Sequence, residues 1–327
     1  MMHTSALRTV LMVGALLAAL LGCERRSESV DSSGAKLTKV KLQLNWKPEP
    51  QFGGFYAAPY EKYGLECQIT PGGAGAPTIE MVGAGTVPFA IVSGDEIVRA
   101  RANGNRVVAL FAVYQTNPQG IMTRASRGLK TLEDLFNTPG TLAMERGLPY
   151  SDFLQKKYGF DKLKIVPSPF GDLSLYRTQE DYAMQCFVTS EPLAARKIGI
   201  EPQVFLIAES GYNPYTTVLA TSEQFLKSNP KLVQGMVAAV REGWQRYLAD
   251  PSQTNAIMAR LNPTMDLQTF AESAEAQKPL IETELTRSQG LGSMTEQRWQ
   301  ELIDQLRELK VIDKPVSASE CFVNMGQ

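Results

Sequence analysis

Histidine is nearly missing from this sequence: among 327 residues the only one is His3. Beyond that position, Ser-His-Asp and Cys-His catalysis, a histidine acid or base and histidine-ligated metals are all ruled out. Cysteine is scarce too. The four residues Cys23, Cys67, Cys186 and Cys321 show no CxxC spacing, so neither a zinc site nor a dithiol redox motif is written into the chain. Neither sign of charge is in excess, with 33 Lys and Arg against 34 Asp and Glu, a net of −1. That balance offers no basic surface to nucleic acid. No internal repeat is visible. What is present is an ordinary globular composition, 43% hydrophobic and 20% charged, at a length that fits two domains or one large one.

An apolar run from Val10 to Leu21 follows Arg8 and is broken only by Gly14. It is too short to cross a bilayer comfortably and matches the apolar region of a secretory signal. It ends in Leu20-Leu21-Gly22-Cys23, which resembles a bacterial lipobox, with Leu21 standing where a small residue is usual. A signal peptide over 1–22, a lipidated Cys23 and a flexible polar tether over 23–37 are therefore expected. They would place an exported protein, lipid-anchored, at the periplasmic face of a bacterial membrane. The competing reading is a plain secretory signal with an incidental cysteine. Three cysteines then remain, enough for one disulfide, with nothing to select the pair.

From Lys39 onward, Val40, Leu42, Leu44 and Trp46 alternate with Lys39, Lys41, Gln43 and Asn45. This is a strand pattern with Trp46 at its C-terminal end. Ala57 to Tyr63 reads as a helix stopped by Gly64, followed by the strand "LECQI", a Gly-rich loop from Pro71 to Pro77 and a short helix. "VPFAIVSG", "DEIVRARANG" and "RVVALFAVY" continue as strand, helix and strand. Asp95 and Glu96 stand at the positive end of that helix. The alternation is that of an α/β fold with a mostly parallel sheet. It restarts at "GIMTRA", runs through "QVFLIA", and gives way to helices beyond Asn229, where Trp299, Leu302, Ile303, Leu306 and Leu309 form a core-facing stripe. Two α/β units are expected, with crossings near Ile121-Met122 and Gly211–Tyr215.

The stretch "LNWKPEPQFGGFYAAPYEKYGL" sets Trp46, Phe52, Phe55 and Tyr56 among Pro48, Pro50, Gly53 and Gly54, which interrupt regular elements. Its aromatics either plug a loop or form a wall for something flat. The loop "TPGGAGAPT" lacks the phosphate-loop ending and the GxGxxG spacing, so a simple turn stands slightly ahead. In open α/β sheets ligands sit beyond the carboxyl ends of strands. That rule collects Asn45 and Trp46, then Ser93, Gly94, Asp95 and Glu96, and Tyr114 with Gln115. Arg146, Gly147, Thr189, Ser190 and Glu191 come from the second unit, and Tyr212, Asn213 and Tyr215 from the return crossing. Singly, each has a plainer role: Asp95 and Glu191 as helix caps, Trp46 as a core plug, Arg146 as a surface charge. Together they describe a cleft.

The segments "LNWKPEPQFGGFYAA", "SGDEIVRARANG", "ALFAVYQTNPQGI", "CFVTSEPLAA" and "GYNPYT" resemble, in matching order, the solute-binding lipoproteins of bacterial ABC importers. The branch is the one that contains thiamine-pyrimidine, alkanesulfonate, taurine and nitrate binders. The resemblance implies a type II periplasmic-binding-protein fold, with one lobe from 38–121 and 213–327 and a second from 122–212. It also implies delivery of a small molecule to a permease and its ATPase, by a monomer without cofactor or metal. Trp46 matches an aromatic that stacks on heterocycles, Glu191 an acid of the second lobe, and Tyr212 and Tyr215 aromatics near the hinge. A flat, nitrogen-rich ligand such as a thiamine-type pyrimidine is expected, stacked on a cleft wall that includes Trp46, Phe52 and Tyr56, with carboxylates such as Glu191 or Asp95 accepting from its amino groups. The alternative is a sulfonate, taurine or related anion held by Arg146 and helix N-terminal amides. From other classes come an exported enzyme working without histidine and a ligand-sensing partner of a membrane receptor. Some relatives by fold are yeast pyrimidine synthases that consume a histidine of their own, which this chain lacks.

Overall fold

The computed structural model describes residues 36–326; the expected signal, Cys23 and most of the tether lie outside them. The first half builds β1 (Thr38–Gln43), α1 (Gly53–Tyr56), β2 (Leu65–Thr70), α2 (Thr78–Gly83), β3 (Phe89–Val92), α3 (Gly94–Ala102) and β4 (Val107–Tyr114). Next come β5 (Gln119–Arg124), α4 (Leu132–Asn137), β6 (Gly140–Ala143), α5 (Pro149–Tyr158) and β7 (Leu163–Val166). They are followed by α6 (Ser174–Thr178), β8 (Tyr182–Phe187), α7 (Glu191–Lys197) and β9 (Pro202–Leu206). The last part holds β10 (Thr216–Ser222), α8 (Glu223–Ser228), α9 (Pro230–Ala249), α10 (Ser252–Leu261) and α11 (Leu267–Ile281). It closes with α12 (Glu284–Gln289), α13 (Glu296–Glu308) and α14 (Ala318–Cys321).

These elements form two five-stranded sheets, ordered β2-β1-β3-β10-β4 and β7-β6-β8-β5-β9. In the first, β10 runs antiparallel to both neighbours; in the second, β5 does. Each sheet thus takes in one strand that arrives from the other, and the chain passes between them twice. Strands β3 and β4 are buried along their whole length, as their unbroken apolar runs require of strands covered on both faces. The first passage spans residues 115–118, a few residues before Ile121-Met122. Those two residues are fully buried inside β5, because an apolar run bounded by Pro118 gains more from sheet pairing than from serving as a link.

Helix α9 explains the Gly-Gly pair. Val233, Met236, Val237, Val240, Trp244 and Tyr247 form its buried stripe, at helical spacing. A Cβ on Gly53 would sit 2.2 Å from the Tyr247 ring, and one on Gly54 would sit 2.2 Å from the Trp244 ring. From the other side, a Cβ on Gly243 would be 2.1 Å from the Gly54 carbonyl oxygen. The glycines let α1 lie flat on α9 and belong to a helix. The expected helix over Ala57 to Tyr63 is replaced by α1 and a separate 3-10 turn at Tyr60–Tyr63.

Cys67, Cys186 and Cys321 are free thiols, and burial pushes Cys67 and Cys321 up to about 12.

Candidate binding cleft

β1 ends at Gln43, so Trp46 lies in a bend beyond the strand rather than at its last position. Three contacts fix this bend. The Asn262 amide donates to Pro48 O at 3.1 Å and the Gln277 amide to Pro50 O at 3.0 Å. Gly72 N–H donates to Trp46 O at 2.9 Å. A Cβ on Gly72 would be 2.2 Å from Leu44 O, so the Gly-rich loop serves close backbone approach, and Asn45 is clamped there by its main chain.

So held, Trp46 keeps part of its surface exposed, and its indole N–H donates to Glu49 Oε1 at 3.2 Å. Sequence reasoning passed over Glu49. Its only signal is an acid between Pro48 and Pro50, which hold it rigidly. Burial pushes its carboxyl up to about 7, the charge of Glu191 adds to the rise, and the Trp46 hydrogen bond and Lys47 oppose it.

Glu191 comes from the second sheet's side, at the first position of α7. Its Oε2 accepts from Phe187 N–H at 2.7 Å; burial raises its pKa while backbone hydrogen bonds pull it back. Phe187 meets Tyr114 edge-on, 6.1 Å between centroids. The Tyr114 hydroxyl donates to Gln277 Oε1 at 2.8 Å. Its pKa is raised by burial, opposed by the Thr189 hydroxyl. Trp46, Tyr114, Thr189 and Glu191 are thus brought together, with Glu49 and Phe187 added; Ser190 holds the N-cap position of α7 without a side-chain cap bond.

A second group forms at the start of α3. Ser93 N–H donates to Glu96 Oε2 at 2.7 Å, and its hydroxyl lies 2.5 Å from Asp95 Oδ1. Burial raises Asp95, and burial followed by the Asp95 charge raises Glu96 to about 6. The Tyr212 hydroxyl is buried without a hydrogen-bond partner, its ring tilted on Phe153 at 5.3 Å. Asp95 stands among the charges that raise it after burial.

Two expected ligand residues are committed elsewhere, and a third in part. The Gln115 amide N–H donates to Ser293 O at 3.1 Å, while its buried Oε1 has no hydrogen-bond partner. Asn213 Oδ1 accepts from Asn117 N–H at 2.8 Å and from Arg298 Nη2 at 3.0 Å. Tyr215 Oη accepts from Thr295 N–H at 3.0 Å, and its ring carries the Arg298 guanidinium at 3.9 Å. Their polar groups fix the two crossings, and Arg298, which also donates to Gln115 O, ties both together. Arg298 directly precedes Trp299 of the apolar stripe, and no local signal distinguishes it from the other charges of its helix. Phe52 is corrected from wall to core: it has no exposed surface and packs in the cluster with Phe55 and Trp244. Tyr56 packs partly buried against that cluster, burial pushing its hydroxyl up to about 12. Arg146 is exposed at the edge of a cavity in the second sheet's half.

Residues 49–254 match the family described as NMT1/THI5 like. The chain is 24% identical over 307 residues to the riboflavin-binding protein RibY of Chloroflexus aurantiacus, covering 88% of this chain and 86% of that one. It is 22% identical over 302 residues to the 4-amino-5-hydroxymethyl-2-methylpyrimidine phosphate synthase of Legionella pneumophila, covering 88% and 92%. Among solved structures it is similar to the periplasmic aliphatic sulphonate binding protein SsuA of Escherichia coli, at a TM-score of 0.67, 14% identity and coverage of 88% and 93%.

Proposed function

The chain belongs to the NMT1/THI5-like family, and from that premise we propose that it is the extracytoplasmic binding component of an ABC importer for a small flat nitrogen heterocycle. One observation carries this reading: Trp46 with Glu49 on one sheet's side and Glu191 on the other's converge between two halves joined by two crossings. An aromatic face beside two carboxylates suits a ring that stacks and donates through amino or ring N–H groups. The Chloroflexus relative is named for riboflavin and the Legionella one for an aminopyrimidine; both compounds are flat and nitrogen-rich. A thiamine-type pyrimidine is therefore favoured over a sulfonate, which two acids would repel.

The protein acts as a carrier and not a catalyst in this reading, because no histidine follows His3. One relative is named a synthase, so the test includes turnover. Ligand passes to a permease and its ATPase, from a monomer tethered through Cys23. Among the described residues no helix is long and apolar enough to cross a membrane; the proposed anchor is the lipid on Cys23, and Cys23→Ser is expected to move the protein to the soluble fraction. The decisive experiment is mass spectrometry of whatever co-purifies with the protein, followed by calorimetry with that compound. A nitrogen heterocycle recovered unchanged supports the reading; a sulfonate, or conversion of the compound, overturns it.

A further inference from the structure

At the C-terminal ends of the parallel strands β6 and β7 lies a cavity of about 500 Å³, lined by Met144, Leu148, Ile165, Val166, Pro167 and Phe170. β8, parallel to β6, leads to Glu191 on the same edge. Cavity and acid meet at one corner: a Cβ on Gly171 would be 3.7 Å from Glu191 Oε1. Phe170, next in the chain, holds a left-handed backbone at φ +48°, which costs a non-glycine residue. Its ring is nevertheless 55% exposed. A strained residue that leaves its phenyl in water does little for the folded chain alone. The lining's polar members are engaged or turned out: Glu145 accepts from the Gln185 amide at 3.3 Å, Ser168 Oγ accepts from Phe170 N–H at 3.3 Å, and Arg146 is exposed.

We infer that this cavity is a side chamber of the cleft, built for the second, apolar or aromatic part of a ligand whose polar ring sits at Glu49 and Glu191. This deepens the heterocycle reading and rests on it. Pockets of about 300–1,000 Å³ serve ligands of more than one ring; a lone aminopyrimidine would leave the apolar lining wet. The ligand class is thus a fused-ring or two-ring heterocycle, with Phe170 covering it where the chamber opens beside Glu191.

Calorimetry tests this with three probes: 4-amino-5-hydroxymethyl-2-methylpyrimidine as the single ring, and thiamine and riboflavin as the larger ones. At least one larger probe is expected to bind tenfold or more tightly than the single ring. Val166→Trp, which fills the chamber, should weaken the larger probe at least tenfold and change the single ring less than twofold. Phe170→Ala, at an exposed position, should weaken the larger probe several-fold and serves where Val166→Trp fails to fold. Tighter binding of the single ring, or equal effects on both probe sizes, overturns the side chamber and leaves the heterocycle reading standing. Binding of none of the three overturns both.

Discussion

Glu49 is worth most attention at the scale of single residues, because its proton couples folding to binding. Its carboxyl is raised to about 7 in the folded chain, so the native state holds that proton more tightly than the unfolded one. Stability from this group is present at low pH and drains away as pH rises through about 7. Glu49→Gln, which cannot ionise, is expected to raise the melting temperature at pH 8 and leave it unchanged near pH 4. Thermal scans at the two values check this, and an equal shift at both would deny the linkage. The same substitution should weaken ligand binding at least tenfold at pH 8, where the carboxylate is the acceptor. Trp46 divides two roles in the same way. Being partly exposed and tied to Glu49, it should lose about 1–3 kcal/mol of ligand affinity as Trp46→Ala, by analogy with base stacking, with little loss of stability. A core tryptophan such as Trp244 should cost roughly 3–5 kcal/mol of stability on the same change. A Trp46→Ala protein that melts early but binds normally would count against stacking.

Elements are positioned here largely by what glycine leaves out. Helix α1 reaches α9 only because Gly53, Gly54 and Gly243 offer no Cβ at the contact. That contact carries Phe52 and Phe55 into the core and sets the path of the chain that follows the Trp46 bend. Gly54→Ala is expected to destabilise the fold by about 1–3 kcal/mol, since the Trp244 ring has nowhere to move in a packed interior. Chemical denaturation measures it. A neutral result would mean that α1 can ride up on α9 without cost. The bend itself is ordered by side chains from distant helices, Asn262 following α10 and Gln277 within α11. Neither has any local sequence link to Trp46.

At the scale of the whole molecule, closure is the motion to expect, because only residues 115–118 and 207–215 join the two sheets and Arg298 fastens both passages. Away from these crossings two ion pairs among the described residues span the halves: Lys197 Nζ to Asp266 Oδ1 at 2.8 Å, from α7 to the cap of α11, and Lys156 Nζ to Glu308 Oε1 at 2.6 Å, from α5 to α13. Exposed pairs of this kind contribute about 0.2–1 kcal/mol each. They tune closure and do not drive it. The ligand should lower the radius of gyration seen by small-angle scattering. Lys156→Ala with Lys197→Ala should weaken binding by no more than about tenfold and flatten its salt dependence. Identical scattering profiles with and without ligand would argue for a rigid pocket.

Periodicity alone was enough for the strand and helix alternation, the return of the chain through a second sheet and the buried stripe of α13, because local pattern reports which face an element must hide. Chain-order rules were enough to bring Trp46, Thr189 and Glu191 forward as candidates, since ligands gather where strands end. Tertiary structure decided the rest. Whether Phe52 is wall or core, and whether Asn213 and Tyr215 face a ligand or hold a crossing, depends on α9, α11 and α13, which come from far along the chain. Glu49 becomes a candidate only when burial and the approach of Glu191 raise its proton affinity. Those energies belong to neighbours in space, and a sequence states neighbours only in order.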